Sequence, residues 1–534
     1  MKRRAFFKTA ALAGLAAPLS VRESAGHVGD HNWDKYDFGL GPAVKDRLYQ
    51  GPFPQYPPEQ LFPGSDVVMA TTPSEEVISG FGKGLITYIT ADMGTAEILG
   101  DDKAQAIEEL VKLPLGQKLY IRPTWREIQP RRGRLDFPDY WKLTFDLARK
   151  YNKQVGFRIQ MRAPDYKEEA LPDFVLEKVP MVKLEGQWRR TGKTEFQEPR
   201  YDHPSFQEAF QELNGLLAAE LNGNPLVEFV DTFMYGFWGE GHTWPFRNNP
   251  FPDYETAERT WIRMFETQLE HWTKTPLVTN TQPDFSLVGN AELVDRTIRS
   301  HNWLRTDTIF IENTQIEAIG NRPPWTAAVL EVGMSDGSPN SIRQDEGVTG
   351  TDNAIQHVMD VGANYWSLWN FHKISAAGIM NYYRQFPEAI DLISRRIGYR
   401  VRPSFIWAYG ADVNAGRVIS PVGSYGDRHG LIVGFANDGI AGVPGVLRVS
   451  VVSEDGKVNV SGGLDAGYPL PGKIRQVEFP LPRGTPWEGL KLKAEIEVKG
   501  VRYPVRWACH QKTNPDGSLT LRRNRGRNSA PPPA

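Results

Sequence analysis

The chain has 534 residues, with 62 basic and 64 acidic side chains and a formal net charge of −2 at pH 7. A chain of this length usually forms more than one domain, so we expect a large domain and a smaller one. The balance of charge gives no general reason to expect nucleic acid or a charged membrane surface as a partner. Aromatic residues make up 11% of the chain, including 15 Trp, which suits stacking on sugar rings but also suits a large core.

Cysteine usage is minimal, since Cys509 is the one cysteine of the chain. An intramolecular disulfide and a thiolate-rich metal site are therefore excluded. No cofactor motif is found, and we expect neither a cofactor nor a metal.

Residues 1–26 have the organisation of an export signal. Arg3 and Arg4 are followed by Phe6-Phe7-Lys8 and by an apolar run from Ala10 to Leu19. This run is too short to span a membrane comfortably. The paired arginines resemble a twin-arginine signal, which predicts a periplasmic or extracellular protein after signal removal. A generic secretory signal and a chance basic start are the alternatives.

The remaining chain divides by its patterns. Residues 27–80 are rich in Pro, Gly and aromatics without clear periodicity, which predicts an irregular lead-in. Residues 81–400 alternate short apolar runs with longer amphipathic segments, which is typical of repeated β-α units. Residues 401–521 contain strictly alternating runs such as LKLKAEIEV and predict an antiparallel β-sandwich. Residues 522–534 are expected to form a disordered basic tail.

Eight apolar runs are predicted as strands, and eight is the number that a (β/α)8 barrel needs. An open doubly wound sheet is the structural alternative, but no glycine-rich phosphate motif follows the first strand. The predicted strands are Leu85–Ala91, Lys118–Thr124, Gln154–Met161, Val227–Phe237, Leu277–Thr281, Thr308–Glu312, Ala327–Glu331 and Ala363–Trp369.

The ends of these predicted strands are polar, and the functional residues of a (β/α)8 barrel lie at the C-terminal ends of its strands. Among them, Glu240 and Glu331 fit the two carboxyl groups that glycoside hydrolysis needs, one protonated and one ionised. Burial and neighbouring arginines could separate the two pKa values. The alternative is that each glutamate caps a helix or pairs with an arginine. Predicted substrate-binding residues are Arg122, Trp125, Arg158, Gln160, Tyr235, Trp238, His242, Asn280, Glu312, Trp366 and Trp369.

The stretch from about Gly82 to Phe371 resembles clan A glycoside hydrolases, whose acid/base ends strand four and whose nucleophile ends strand seven. By position, Glu240 is similar to that acid/base and Glu331 to that nucleophile. The resemblance implies a retaining double displacement, with an oligo- or polysaccharide as substrate. It also implies that Arg122 is the strand-two arginine and that Trp366 or Trp369 is the strand-eight tryptophan.

One departure from the clan pattern is Gly239, which stands where the clan usually has Asn before the acid/base. Contact with the sugar 2-hydroxyl would then come from Asn280 or His242. The motif GFWGEGHTW resembles a branch with a WGE-x-H signature, from which no substrate can be transferred.

Several alternatives stay open. Glu312 is a rival to Glu331, and Glu240 with His242 and Asp92 could form a metal site. The aromatic side chains at the strand ends could be core residues, and Arg158 and Arg162 could pair with barrel carboxylates or recognise an acidic sugar. A barrel that binds carbohydrate without hydrolysing it and a polysaccharide lyase are alternative functions. Oligomeric state is not indicated.

Overall fold

A computed structural model describes residues 67–89, 102–162, 164, 169–188, 192–243, 245–281, 289–308, 318–331, 350–367, 375–409 and 429–522. The predicted export signal, most of the lead-in and nearly all of the basic tail lie outside these residues. Within the described part of the chain, no helix is long and apolar enough to cross a membrane.

Eight parallel strands close into a barrel in which strands that follow one another along the chain are hydrogen-bonded neighbours, and the last barrel strand pairs with the first. Helices Lys103–Val111 (α1), Asp139–Lys150 (α3), Pro204–Leu221 (α5), Tyr254–His271 (α6), Gly289–Arg299 (α7) and Gly350–Asp360 (α8) connect consecutive strands. The barrel strands are Gly84–Tyr88 (β2), Lys118–Ile121 (β3), Gln154–Phe157 (β4), Val227–Asp231 (β7), Leu277–Asn280 (β8), Trp303–Thr308 (β9), Ala328–Glu331 (β10) and Tyr365–Ser367 (β11).

Shorter elements complete this region. A short helix, Trp125–Ile128 (α2), follows β3, and another, Asp173–Leu176 (α4), follows β4. Met181–Lys183 (β5) and Gln197–Pro199 (β6) form an antiparallel hairpin between β4 and α5. Ala376–Gln385 (α9) and Pro387–Arg396 (α10) follow β11 and end the region.

The helices pack on the barrel through amphipathic faces. In α3 the buried residues Trp141, Thr144, Phe145 and Ala148 recur at intervals of three or four, which places them on one face. Trp141 packs edge-on against Phe157 of β4, with ring centroids 5.2 Å apart. Burying this aromatic stripe is the main reason why a segment with several charged residues is helical here.

The predicted (β/α)8 barrel followed by a β-rich domain is confirmed. The sixth strand was misplaced, because the sequence pattern predicted Thr308–Glu312 and the strand is Trp303–Thr308. Trp303 and Arg305 point into the barrel, so this strand carries a charged residue where an apolar one was expected. The fourth strand is also shorter than predicted and ends at Asp231.

The lower end of the barrel, where the strands begin, contains a buried ion pair. Lys118 Nζ lies 2.8 Å from a carboxylate oxygen of Glu228, and both side chains are 1% exposed. Glu228 also accepts hydrogen bonds from the Tyr365 hydroxyl at 2.6 Å and from the Gly82 amide at 2.9 Å. Glu228 is thus part of the structural core, at the opposite end of the barrel from the C-terminal ends of the strands.

The C-terminal domain is made of two antiparallel sheets. The first contains Val67–Ala70 (β1), Val401–Tyr409 (β12), Gly430–Asn437 (β13) and Ile474–Pro480 (β16). The second contains Val446–Val452 (β14), Asn459–Gly463 (β15), Lys491–Val498 (β17), Val501–Pro504 (β18) and Leu519–Thr520 (β19). The alternating burial of β14 and β17 matches their alternating sequences.

The lead-in is not wholly irregular, which corrects the sequence prediction. Val67–Ala70 pairs antiparallel with β12 and so belongs to the C-terminal domain, although it precedes the barrel in sequence. Its four residues give too short a pattern to be recognised as a strand. Val67–Ala70 therefore precedes the barrel in the chain but belongs to the β-rich domain that follows the barrel.

This β-rich domain packs against the end of the barrel where the strands begin. Lys499 donates hydrogen bonds to the Trp272 carbonyl, to the Thr275 carbonyl and to Asn302 Oδ1. Thr275 lies just before β8, and Asn302 lies just before β9. Tyr503 stacks on Phe81, just before β2, with ring centroids 3.5 Å apart. The described part of this domain therefore lies away from the C-terminal ends of the barrel strands.

Candidate active site

Three buried arginines lie across the barrel interior near the C-terminal ends of the strands. Arg122 follows β3, Arg158 follows β4 and Arg305 lies on β9, and each is at most 1% exposed. The alternation of side chains along a strand explains the placement, since Tyr120 and Arg122 share one face of their strand, as Gly156 and Arg158 do. Three guanidinium groups buried this deeply require carboxylate partners.

Glu331 ends β10 and is 3% exposed. Its two carboxylate oxygens accept from different arginines, Oε1 from Arg122 and Oε2 from Arg305. Arg122 also donates to the Tyr88 hydroxyl at 3.2 Å. Glu331 is therefore held in one orientation and stabilised as a carboxylate by two charge-assisted hydrogen bonds.

Glu240 lies beside it, 5% exposed. Its Oε1 accepts from Arg158 at 2.9 Å and from Arg305 at 2.7 Å, while Oε2 lies 3.7 Å from His242 Nε2. Burial opposes ionisation of this carboxyl, but the two guanidinium groups outweigh it and hold the pKa of Glu240 well below its usual range. The two arginines therefore favour the ionised form of Glu240 when no substrate is bound.

Arg305 joins the two glutamates. Its Nη2 binds Glu240 and its Nη1 binds Glu331. Because both oxygens bond to one planar guanidinium group, they lie within roughly 7 Å of each other. Two glutamates 91 positions apart in the printed sequence are therefore brought to one place.

Asp231 lies beneath this pair as a third carboxylate. Its Oδ2 accepts from the Tyr120 hydroxyl and lies 3.5 Å from Arg158 and 3.3 Å from Arg305. The described residues of the cluster thus contain three arginines and three carboxylates. Their formal charges cancel when every group is ionised.

The segment that presents Glu240 has an unusual backbone. Strand β7 ends at Asp231, and a 3-10 turn, Phe237–Gly239, leads into Glu240. Three glycines have positive φ angles, at 82° for Gly236, 82° for Gly239 and 84° for Gly241. A Cβ atom on Gly236 would lie 2.5 Å from the carbonyl oxygen of His242, so only glycine fits there.

Trp238 is the strained residue of this segment. Its φ of 53° is rare for a residue with a large side chain. The half-buried ring packs against Trp188 and His242, at centroid distances of 5.7 and 5.4 Å. Its amide donates to the Arg162 carbonyl at 2.8 Å. Trp238 and His242 therefore flank Glu240, and their contact with substrate remains a prediction.

Gln160 continues the inward face of the third barrel strand, above Arg158. Its backbone extends the parallel ladder, since its amide donates to the Pro123 carbonyl at 2.8 Å and its carbonyl accepts from the Trp125 amide at 3.0 Å. The side chain is fully buried, yet neither atom of its amide group has a hydrogen-bond partner among the described residues. Such a group is suited to a polar ligand, because an unmade buried hydrogen bond is costly.

Two predicted substrate-binding aromatics lie in the core instead. Trp125 is fully buried, and its Nε1 donates to Gln129 at 2.7 Å. Tyr235 is also fully buried, and its hydroxyl donates to the Ala257 carbonyl at 3.2 Å. Their polar atoms are used within the protein, so the prediction that these rings contact substrate does not fit their packing.

Trp366 faces away from the barrel interior. Its neighbours Tyr365 and Ser367 point inward, since Tyr365 contacts Phe229 and the Ser367 hydroxyl interacts with Tyr88. By alternation Trp366 points to the helix layer, which is a poor position for a substrate contact. Its alternative, Trp369, lies outside the described residues.

The other predicted residues have mixed outcomes. Asn280 ends β8 and is 2% exposed. Glu312, the rival to Glu331, lies outside the described residues, as does Asp92. Arg162 bonds to Glu198 at 2.8 Å and to Glu169, which is a structural arrangement that leaves little for recognition of an acidic sugar.

The structure adds residues that the sequence analysis missed. Arg305, Asp231 and Tyr120 are not among the predicted site residues, although Arg305 contacts both glutamates and Asp231, which accepts from Tyr120, lies against Arg305. The segment WLRTDT contained a signal for Arg305, because Trp303 and Arg305 are two positions apart and therefore share one face of a strand. The signal for Asp231 was its position as the acidic residue that ends the strand Val227–Asp231, which also contains Glu228.

No group of three or more His, Cys, Asp and Glu residues suited to a metal ion is present in the described ranges. His242 and Glu240 approach one another without a third such ligand among the described residues. The chemistry available from the described side chains is that of carboxylates positioned by arginines.

Comparisons with known proteins give low similarities. No model of a known protein family matches the chain, and no curated protein matches it. Among solved structures, the GH5_18 protein of Streptomyces cattleya in complex with GlcNAc is 13% identical, with a TM-score of 0.36, covering 58% of this chain and 82% of that one. The catalytic domain of a Paenibacillus polymyxa β-amylase is 8% identical, with a TM-score of 0.38, covering 57% and 97%.

An exo-β-1,4-mannosidase from Opitutaceae bacterium strain TAV5 is 10% identical, with a TM-score of 0.36, covering 58% of this chain and 60% of that one. These neighbours are glycoside hydrolases, the class that the sequence resemblance also named. Likenesses this low carry no argument about the activity of this chain, which has to be inferred from its own residues.

Proposed function

We propose that the protein is a glycoside hydrolase that cleaves an oligo- or polysaccharide with Glu240 and Glu331. The observation that carries this proposal is the pairing of these two buried glutamates at the C-terminal ends of barrel strands, where both bind Arg305. Two carboxyl groups that can flank the scissile bond are what glycosidic bond cleavage requires. In a (β/α)8 barrel, the C-terminal face is also where substrates bind.

Glu331 suits the role of nucleophile. Arg122 and Arg305 keep it ionised and fix both of its oxygens. In the first step an oxygen of Glu331 bonds to the anomeric carbon while the bond to the leaving oxygen breaks. Glu331 moves little during this attack, because Arg122 and Arg305, which hold its two oxygens, are themselves buried.

Glu240 suits the role of acid and base. It gives its proton to the leaving oxygen in the first step and takes a proton from water in the second, which frees the sugar and restores Glu331. Its ionised state without substrate is the form needed for the second step. Before the first step it must be protonated, so a guanidinium contact has to weaken when substrate enters.

The retaining mechanism is the part of the proposal that follows from the clan resemblance of Glu240 and Glu331. Retaining pairs stand about 5 to 5.5 Å apart and inverting pairs about 6.5 to 9.5 Å apart. The shared guanidinium group places the two carboxylates within roughly 7 Å, a limit that includes the retaining range. The anomeric configuration of the first-formed product, followed by NMR, decides between the two mechanisms.

A polysaccharide lyase is a weaker alternative. A lyase needs a deprotonated base, and the tyrosines beside the arginines are Tyr88 and Tyr120. Burial raises the pKa of both hydroxyls above the usual tyrosine value, which keeps them protonated. Neither is suited to abstract a proton.

The direct test is hydrolysis of a panel of 4-nitrophenyl glycosides and polysaccharides by the wild type and by Glu240→Gln and Glu331→Gln. Glu228→Gln is the matched control, because it removes a buried, ion-paired glutamate from the same barrel at its opposite end. We expect both site variants to lose sugar release and the control to keep it wherever it folds. Unsaturated products would indicate a lyase, and binding without any product would indicate a binding protein.

We further propose that the protein is exported. The support is the sequence of residues 1–26, with its paired arginines and apolar run. Replacing Arg3 and Arg4 together by lysine should retain the protein in the cytoplasm of a host with a twin-arginine pathway. Unchanged export of that variant would point to a different signal type.

A further inference from the structure

Arg305 has an unusual position, because one side chain contacts all three carboxylates of the cluster. Its Nη2 binds Glu240 at 2.7 Å, its Nη1 binds Glu331, and its Nε lies 3.3 Å from Asp231. The side chain is 2% exposed, so solvent screens these contacts only weakly. Removing it would leave two adjacent buried carboxylates facing each other.

We propose that Arg305 is a positioning residue of the reaction, which holds Glu240 and Glu331 at a fixed separation and couples the charge of one to that of the other. This inference rests on the proposed function. Arg122 and Arg158 cannot do the same, since Arg122 binds Glu331 and Arg158 binds Glu240. The coupling therefore depends on Arg305.

The coupling has a direction in each step. When Glu331 forms its bond to the sugar carbon, it loses its negative charge, and the Nη1 contact with Arg305 weakens. The guanidinium charge then acts mainly on Glu240 and Asp231, which favours the ionised Glu240 needed to accept a proton from water. When water breaks the bond to the sugar, Glu331 regains its charge and Arg305 is shared again.

Other ionisable groups also act on Arg305 and have to be kept in place. The groups that act on it are Tyr88 on β2, Tyr120 on β3, Arg158 after β4, Asp231 at the end of β7, Glu240 in the following loop and Glu331 on β10, while Arg122 and His242 act on those two glutamates. Substituting Arg305 alone keeps the identity of all of these groups. A change in the titration of Glu240 then reports the loss of the Arg305 charge, and the comparison with Arg305→Lys separates that charge from the bridge.

The test is titration of the Glu240 carboxyl by NMR in the full-length chain labelled with δ-13C glutamate. Glu240→Gln identifies its resonance, and circular dichroism checks that each variant folds. In Arg305→Met we expect the midpoint of Glu240 to move upward, because an attractive charge is lost and the repulsion of Glu331 is no longer offset. Arg305→Lys keeps one charge but cannot bridge two carboxylates, so we expect an upward shift of smaller size.

Arg402→Lys is the matched control, because Arg402 is a buried arginine paired with Asp438 at 2.6 Å in the β-rich domain. It should leave the Glu240 midpoint unchanged. An equal Glu240 midpoint in the wild type and in the folded Arg305 variants would overturn the proposed role, and the lysine variant keeps the test decisive if Arg305→Met does not fold.

This titration needs no substrate, so it is separate from the test of hydrolysis. Where a 4-nitrophenyl glycoside is cleaved, Arg305→Lys should also move the alkaline limb of the kcat/KM profile to higher pH. A coupled titration in a protein that cleaves no glycoside would confirm the charge coupling through Arg305 but refute the proposed function and, with it, the part of Arg305 in that reaction.

Discussion

Gly236→Ala tests whether the backbone before Glu240 determines the position of that carboxylate. Gly236 has φ 82° and ψ −172°, a conformation that only glycine adopts readily. Placing alanine there costs about 1–3 kcal/mol in backbone strain. Its Cβ would also lie 2.5 Å from the carbonyl oxygen and 2.7 Å from the amide nitrogen of His242. Relieving that overlap adds about 1–3 kcal/mol, as overpacking typically does.

The matched control is Gly133→Ala, since Gly133 has a similar φ of 76° but no atom within 4 Å of the added Cβ. We expect it to lower the free energy of unfolding by about 1–2 kcal/mol through strain alone. Gly236→Ala should lower it by about 2–6 kcal/mol, because strain and overlap add. Urea unfolding followed by tryptophan fluorescence measures both.

Gly236→Ala should also reduce glycoside hydrolysis by about 10²-fold, because a shift of about 1 Å in a catalytic group has that effect. Gly133→Ala should leave hydrolysis near the wild-type rate. Equal losses of stability in the two variants would refute the steric argument. A destabilised Gly236→Ala with full activity would show that the loop does not set the position of Glu240.

Three further predictions concern pH, reactivity and the domain interface. The folded pKa of Glu240 lies below the unfolded value of about 4.3, so its ionised form stabilises the fold above that pH. As pH falls from 6 to 3, the wild type should therefore lose unfolding free energy relative to Glu240→Gln, which urea titrations at each pH measure. Burial raises the pKa of the Cys509 thiol to about 11, so a thiol-reactive dye at pH 8 should label the native protein slowly and the urea-unfolded protein fast; equal rates would mean that the thiol is accessible. Lys499→Met should destabilise the protein by about 1–3 kcal/mol, because buried carbonyls lose their donor, whereas the exposed Lys457→Met should not, and differential scanning calorimetry compares them.

The sequence was sufficient where a local pattern coincided with a structural period. Short apolar runs separated by amphipathic helices predicted the barrel, and the alternation in Lys491–Val498 predicted a half-buried antiparallel strand. Polar residues at strand ends singled out Glu240 and Glu331 before their proximity was known. Each of these signals depends on neighbours within a few residues.

The misplaced strand shows where local pattern fails. Trp303–Thr308 carries arginine at an inward position, which is tolerable because Asp231, Glu240 and Glu331 surround it. An inward-facing charge does not look like a strand until its partners from other strands are in place. The same reasoning explains Val67–Ala70, whose partner strand lies more than 300 residues later in the chain.

The sequence by itself thus determined the kind of fold and the two acidic residues on which the proposed chemistry depends. Only the tertiary structure decided that one guanidinium group binds both of them, that Trp125 and Tyr235 belong to the core, and that Trp366 faces the helices. The physical reason is that burial and ion pairing depend on atoms from several strands at once, whereas a sequence pattern records only the preferences of one segment.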